Sequence, residues 1–452
     1  MSTHSAVLDV LRSIDFNGSE QEVADAMRDK VLPLLKAARS DKADNKREGP
    51  EYVVAPGLQN EILSSTDPFQ ATAVWIVTLC SRYAGTEVAA TEVFQLVGRL
   101  FESASELQMK IVGSQFQTLV QIIVSVSDAM GKPELSLKPL LDAALAFSST
   151  HDTLSPAHAM FVAQALKAKQ YDVALNLLQY SVDQFDLKYG LTYHDHLLFH
   201  YYGAIVFIYT KQYERAFNYL ATVLCAPGQA TSMIQIEAYK KTVLIQLILT
   251  GKRSLRLPRL TSELSSHRYR VAARAYDYFG SGFESNDILV LKTVWNQINA
   301  IFEKDGNYGL GVMSLMAFRK QQIQKLQKTF MSLPMAYVES KDTDIEGSGR
   351  STKDLVVSMI DTGELEGILT EQDVIVFKTT AVSGSSLETL QAKLEDVRVL
   401  NEKIAAAVRR VGMSREYLAR KVQGAGVGGF GRPMGNGGMD MEIEAYDGLM
   451  EL

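Results

Sequence analysis

Apolar residues recur at helical spacing along almost the whole chain and form a strand-like run in one place. Val7, Leu8, Leu11 and Ile14 share one helical face, and Val23, Met27, Val31 and Leu34 another, which predicts two amphipathic helices within Met1 to Lys36. The charged stretch Asp41 to Pro50 reads as a loop. From Asn60 to Phe147 further helices follow, broken at Gly85, near Gly113 and at Gly131-Lys132-Pro133, with no strand-like alternation between them.

An internal repeat organises the middle of the chain. Lys169-Gln170-Tyr171-Asp172-Val173-Ala174-Leu175-Asn176 returns as Lys211-Gln212-Tyr213-Glu214-Arg215-Ala216-Phe217-Asn218, with Lys, Gln, Tyr, Ala and Asn in register. The unit reads as a helical hairpin. A first helix ends near the Lys, the Tyr opens a second, and the Ala lets the two approach closely, the logic of tetratricopeptide (TPR)-like repeats. Each copy follows a long apolar helix. One starts at Ser155-Pro156, a capping residue and a proline at the first helical position. The other, Leu197 to Tyr209, is apolar almost all round and should lie between layers. A third unit, Met233 to Lys252, has a second helix that no longer matches. Such hairpins stack into a right-handed array with a continuous interior and faces free to bind.

Past Lys252 helices are expected over Val271 to Tyr278, Ile288 to Phe302 and Leu310 to Phe330, the last with Ile323, Leu326 and Phe330 on one face. A short segment, Pro334 to Val338, precedes the polar loop Ser340 to Arg350. Ser351-Thr352-Lys353-Asp354 has capping-box form and opens a helix carrying Leu355, Val356, Met359 and Ile360 that stops at Gly363. Asp373 to Lys378, with Val374, Ile375, Val376 and Phe377, is the best strand in the chain. Helix, short helix, helix and hairpin make a winged-helix arrangement.

Beyond the linker Ala381 to Ser386 lies the most regular helix. Leu387, Leu390, Leu394, Val397, Asn401, Ile404, Val408 and Val411 alternate spacings of three and four, an unbroken heptad seam with one polar position. Each apolar position contributes ~1.5 to 3 kcal/mol when fully buried, so the helix needs partners. Gly424 to Gly438 is glycine-rich, and Asp440, Glu442, Glu444, Asp447 and Glu451 follow with no basic residue among them; this reads as a disordered tail with an acidic-hydrophobic end around Tyr446 and Leu449. The whole is a mainly α fold: a TPR-like helical repeat solenoid, a winged-helix subdomain and a C-terminal bundle helix. The expected divisions are N-terminal helical repeats over 1–150, TPR-like repeats over 151–305, the winged helix over 306–380, the bundle helix over 387–420 and the tail over 421–452.

Bulk properties narrow the chemistry. A hydrophobic content of 46%, a formal charge of -6 and a pI near 5.8 describe a globular chain with no electrostatic footprint for nucleic acid. Cys80 and Cys225 sit in apolar helical contexts and read as free buried thiols of a reducing compartment. No apolar run reaches the ~20 residues that span a bilayer, and the first residues lack a signal-peptide core, which points to the cytoplasm, the nucleus or both.

Candidate catalytic motifs fail on context. Gly424-Ala425-Gly426-Val427-Gly428-Gly429 satisfies GxGxxG but follows a helix and opens a glycine tract, so it reads as linker. In His194-Asp195-His196 with His200, Leu197 stands where HExxH needs Glu, and Ala204 and Phe207 stand where a JAMM-type isopeptidase needs Ser and Asp; the cluster reads as helix-capping and packing. No catalytic, metal or cofactor constellation remains. Arg319, Lys320, Lys325 and Lys328 form a basic face, which the acidic surroundings of the wing mark as solvated or partner-facing rather than DNA-binding.

Helical repeats running into a winged helix and a terminal bundle helix resemble the PCI domain shared by subunits of the proteasome lid, the COP9 signalosome and a translation initiation complex. Tyr193-His194-Asp195-His196-Leu197-Leu198, Glu237-Ala238-Tyr239-Lys240-Lys241, Asn307-Tyr308-Gly309-Leu310 and Met359-Ile360-Asp361-Thr362-Gly363-Glu364-Leu365 resemble the signalosome branch most closely. The resemblance spans about Leu191 to Lys378. It implies a non-catalytic scaffold in the complex that removes Nedd8 from cullins and so regulates cullin-RING ubiquitin ligases, the protease activity residing in another subunit. It also implies partners: other PCI subunits, held edge strand to edge strand through Val374, Ile375, Val376 and Phe377, and helix to helix through the Leu387 to Val411 seam. A sister-complex subunit and a nucleic-acid-binding PCI protein are the alternatives.

Overall fold

A computed structural model of the chain describes residues 3–35, 54–83, 90–253, 263–342, 351–377 and 387–413, apart from positions 15, 17, 55, 181, 183, 187–188, 229 and 371. The expected loop at Asp41 to Pro50, the break at Gly85, the linker Ala381 to Ser386, the GxGxxG run and the acidic tail lie outside these residues. The chain divides into two units, one ending at Phe377 and one beginning at Lys378.

The N-terminal apolar faces form helices as their spacing predicts: α1 (Thr3–Ser13) and α2 (Glu20–Ala26), the latter running on through a π-helical turn at Met27–Val31. Then come α3 (Pro56–Ser65), α4 (Thr72–Tyr83), α5 (Ala90–Glu102), α6 (Glu106–Ile111), α7 (Gly113–Ala129) and α8 (Leu137–Ala146). The Cys80 thiol is buried on α4 and donates to the Gln115 carbonyl at 3.2 Å; burial pushes its pKa up to about 12. Neither cysteine forms a disulfide, and Cys225 is half-buried rather than buried.

The repeat forms two hairpins, α9 (Pro156–Lys167) with α10 (Tyr171–Leu178), and α11 (Tyr193–Tyr209) with α12 (Tyr213–Cys225). In both turns the Lys adopts a left-handed backbone, φ 57° at Lys169 and 59° at Lys211. The turn then closes alike: Gln170 N–H bonds the Ala165 carbonyl at 3.0 Å, and Gln212 N–H bonds the Phe207 carbonyl at 2.8 Å. These bonds satisfy carbonyls that a helix end would otherwise leave open. Ala174 and Ala216 are fully buried, so the close approach is real. As its all-round apolarity predicts, α11 lies between layers, against α9, α12 and α13 (Met233–Thr250).

Two expected helices change. Val271 to Tyr278 is not one helix: the backbone breaks at Ala273, φ −116° and ψ 34°, between α14 (Glu263–Ala272) and α15 (Arg274–Glu284), with no Gly or Pro to mark it. Next are α16 (Ile288–Lys304) and α17 (Tyr308–Thr329). Phe330 is not on the α17 face but in extended backbone after it, half-exposed and edge-on to Tyr337.

The turn between α16 and α17 is a further copy of the repeat that sequence reading missed. Gly306-Asn307-Tyr308 stands where Lys-Gln-Tyr stood, Gly306 has φ 67°, and Asn307 N–H bonds the Phe302 carbonyl at 2.9 Å. Gly311 takes the place of the buried Ala. A Cβ there would lie 2.8 Å from Trp295 and 2.9 Å from Phe302, closer than carbon atoms approach, so only glycine fits unmoved.

From α17 the chain enters the wing: β1 (Ser332–Pro334), α18 (Met335–Lys341), α19 (Thr352–Asp361), β2 (Gly367–Leu369) and β3 (Val374–Phe377). Ser351 caps α19 by accepting the Asp354 N–H at 3.2 Å. The wing has its own core of Ile323, Leu333, Met335, Val338, Leu355, Val356, Met359, Leu365, Ile375 and Phe377. The solenoid core is a separate cluster ending on α17 at Phe318. One helix therefore serves both cores. The second unit contributes α20 (Leu387–Gly412).

Candidate interaction surfaces

The wing sheet has strand order β1-β3-β2, all antiparallel. This corrects the expected edge: Val374, Ile375, Val376 and Phe377 form the central strand, paired on one side with Ser332 to Pro334 and on the other with Gly367 to Leu369. A central strand has its backbone groups engaged and cannot accept another strand at its edge. The edges are β1 and β2, and Pro334 in β1 fits an edge, because proline cannot donate to a ladder. Three residues flanking a helix carry no alternation, so β1 was invisible in the sequence. Ile375 and Phe377 point into the wing core, Val374 is half-buried, and Val376 is exposed opposite the exposed Ile368 of β2. What the sheet offers outward is that apolar pair.

On α20 the heptad seam is exposed along its described length. Leu390, Leu394, Val397, Ile404, Val408 and Val411 are each 49% or more exposed, and Asn401 is exposed beside them; the side chain of Leu387 lies outside the description. Leu400, 56% exposed, adds an apolar position outside the strict seam that heptad counting passed over. Leucine and valine held in water on one helical stripe are the chemistry of a helix–helix contact.

The histidines do not assemble a metal site. Thr192 and Asp195 cap α11 reciprocally, Thr192 N–H donating to the Asp195 carboxylate at 2.8 Å and Asp195 N–H to the Thr192 hydroxyl at 3.3 Å. The His196 and His200 rings pack 4.5 Å apart, and His200 Nδ1 donates to the His196 carbonyl at 2.9 Å. Burial lowers the His200 pKa to about 4. His194 is exposed. Among the described residues no group of three or more His, Cys, Asp or Glu could hold a metal ion, and no helix is long and apolar enough to cross a membrane.

The expected basic face is only partly a face. Arg319 is 2% exposed; its Nε donates to Asp342 Oδ1 at 2.8 Å, its Nη2 donates to Oδ2, and Thr352 Oγ1 donates to the same Oδ2 at 2.8 Å. It is a buried strut between α17 and the wing. Sequence reading missed it because a charge on a long helix defaults to the solvent side.

Residues 54–265 match a family described as "COP9 signalosome complex subunit 3, N-terminal helical repeats". The chain is similar to COP9 signalosome complex subunit 3. The protein of that name from Dictyostelium discoideum is 24% identical over 335 residues, 73% of this chain and 79% of that one. The one from Arabidopsis thaliana is 25% identical over 290 residues, covering 64% and 66%, and that from Emericella nidulans 28% over 300, covering 60% of each. The alignments with the last two thus span less than two thirds of those relatives. The subunit 3 likeness includes both repeat hairpins and α13.

Proposed function

We propose that this chain is a non-catalytic scaffold subunit of a COP9 signalosome, a PCI subunit of the complex that removes Nedd8 from cullins and so regulates cullin-RING ubiquitin ligases. The observation that carries the reading is the subunit 3 likeness over the helical repeats of a chain that runs on into a winged helix. Its partners are other PCI subunits, engaged through an edge of the wing sheet and through the α20 seam. Cullin-RING ligases are reached through the assembly, and the protein works in the cytoplasm and nucleus. The β2 edge with Ile368 is the better candidate for strand addition, since Pro334 weakens β1.

The test is purification of the tagged full-length chain from its native cells, identification of the co-purifying subunits by mass spectrometry, and a cullin deneddylation assay on the eluate. A multi-subunit assembly with metal-dependent Nedd8-removing activity is expected. Recovery of proteasome or ribosome-associated factors instead would move the chain to a sister complex. Truncation after Ser386 should strip the chain from the assembly, and full incorporation of the truncated chain would refute the role given to α20.

A further inference from the structure

A cleft of about 950 Å³ opens between α13, α17 and the turn joining α11 to α12. With Arg319 internal, the remaining lysines of α17 converge on it: Lys320, Lys325 and Lys328 line it, joined by Lys211 from the repeat turn. Glu364 is the one carboxylate in the lining, and Lys320 already holds it at 2.7 Å. Lys325 donates to Asn286 Oδ1, and burial, reinforced by neighbouring Lys328, lowers its pKa. Among the described residues no carboxylate pairs with Lys211, Lys325 or Lys328. On a chain of formal charge -6 this concentration of unpaired positive charge is local and one-sided.

Beside the polar Thr250, Gln321, Gln324, Gln327 and Thr362, the lining has an apolar side. Met313 and Met316 lie on α17, facing Ile248 and Leu249 at the end of α13. Methionine is flexible and polarizable and suits a surface that must adapt to an apolar guest. A compact inorganic anion would leave this side unused. A nucleic-acid strand would call for aromatic rings to stack on, whereas Tyr213, the one aromatic in the lining, directs its hydroxyl to Met313 Sδ at 3.6 Å.

We propose that this cleft docks a short acidic segment of a partner protein, its carboxylates on Lys211, Lys325 and Lys328 and an apolar side chain between Leu249 and the Met313–Met316 wall. The site is distinct from the wing sheet and from the α20 seam, and it stands whether or not the signalosome reading holds.

The probe is a fluorescein-labelled synthetic peptide in which Glu alternates with Leu and Phe, titrated with the full-length chain and followed by fluorescence anisotropy. Binding should weaken as salt rises, because the contacts are partly exposed ion pairs. Lys325→Glu with Lys328→Glu should weaken it by about tenfold or more. Lys211→Gln, on a different element, should weaken it less and serves if the double variant fails to fold; an unchanged thermal melt identifies the folded variants. Met316→Ser should weaken binding without changing its salt dependence. Equal binding by folded charge-reversed protein would overturn the proposal. So would equal binding of a Glu homopolymer, which shows a site reading charge alone, or tighter lysine-dependent binding of single-stranded RNA or pyrophosphate, which assigns the cleft to another ligand class.

Discussion

Replacing Asp342 with Asn removes the charge that faces Arg319 while keeping the shape of the side chain. The two side chains are 2% and 5% exposed, so water cannot take the place of the lost carboxylate. Breaking a buried ion pair from one side costs ~3 to 5 kcal/mol, because a charge is left behind in a poorly polarizable interior. At 1.4 kcal/mol per tenfold, wing opening should become roughly a hundredfold to several thousandfold more frequent. The wing core is a cluster separate from the solenoid core, so the effect should stay local. Amide hydrogen exchange reads it directly. Phe377 N–H, bonded to the Met331 carbonyl, and Leu365 N–H, bonded to that of Met359, should exchange faster, while Gln212 N–H in the second repeat turn should not. The double variant Arg319→Met, Asp342→Leu should recover most of the protection, since an apolar pair of similar volume satisfies the same space. Unchanged wing exchange in Asp342→Asn, or equal acceleration at Gln212, would refute the argument that the pair locks the wing alone.

Three further outcomes follow from the same geometry. Lys169→Gly and Lys211→Gly relieve a left-handed backbone that costs a side-chain-bearing residue ~1 to 2 kcal/mol, so each should raise the melting temperature despite some loss of unfolded-state restriction; Gly311→Ala, pressed against Trp295 and Phe302, should lower it by the equivalent of ~1 to 3 kcal/mol. His158 accepts the Ser155 N–H at 3.1 Å, and burial holds its pKa at about 3, with His200 at about 4. Both lie below the unfolded value near 6.5, so the unfolded chain binds more protons: stability is full above about pH 6.5 and falls toward pH 4, by ~2 kcal/mol per histidine at pH 5, and His158→Gln should flatten that slope in thermal melts against pH. Leu394→Asp with Val408→Asp, two exposed seam positions, should leave the melting temperature of the first unit unchanged while abolishing co-purification of partner subunits, and retained partners would exclude the seam as an interface.

The helices were legible because a helix is local. Its hydrogen bonds close within one turn, so the spacing of Val7, Leu11 and Ile14, the cap at Ser351 and the apolar girth of α11 each announced an element without reference to distant chain. The repeat was legible where it kept its letters. At Gly306 to Gly311 it kept only its physics, a left-handed residue, a tyrosine and a small residue at the crossing, and resemblance by letter fell below notice. The α20 seam likewise followed from period alone, because an exposed heptad stripe depends on no other segment.

Tertiary structure decided what depends on residues far apart in sequence. Val374 to Phe377 read correctly as a strand, but an edge is a property of a sheet, and the pairing of Ser332 to Pro334, some 40 positions upstream, made this strand central. Arg319 read as surface because charge defaults to water, and only the arrival of Asp342 and Thr352 made burial tolerable. The lysine cleft depends on α17, α13 and the second repeat turn meeting at one place. Local periodicity writes the elements of this protein, while strand order, the burial of charge and the meeting of distant lysines exist only after those elements have packed.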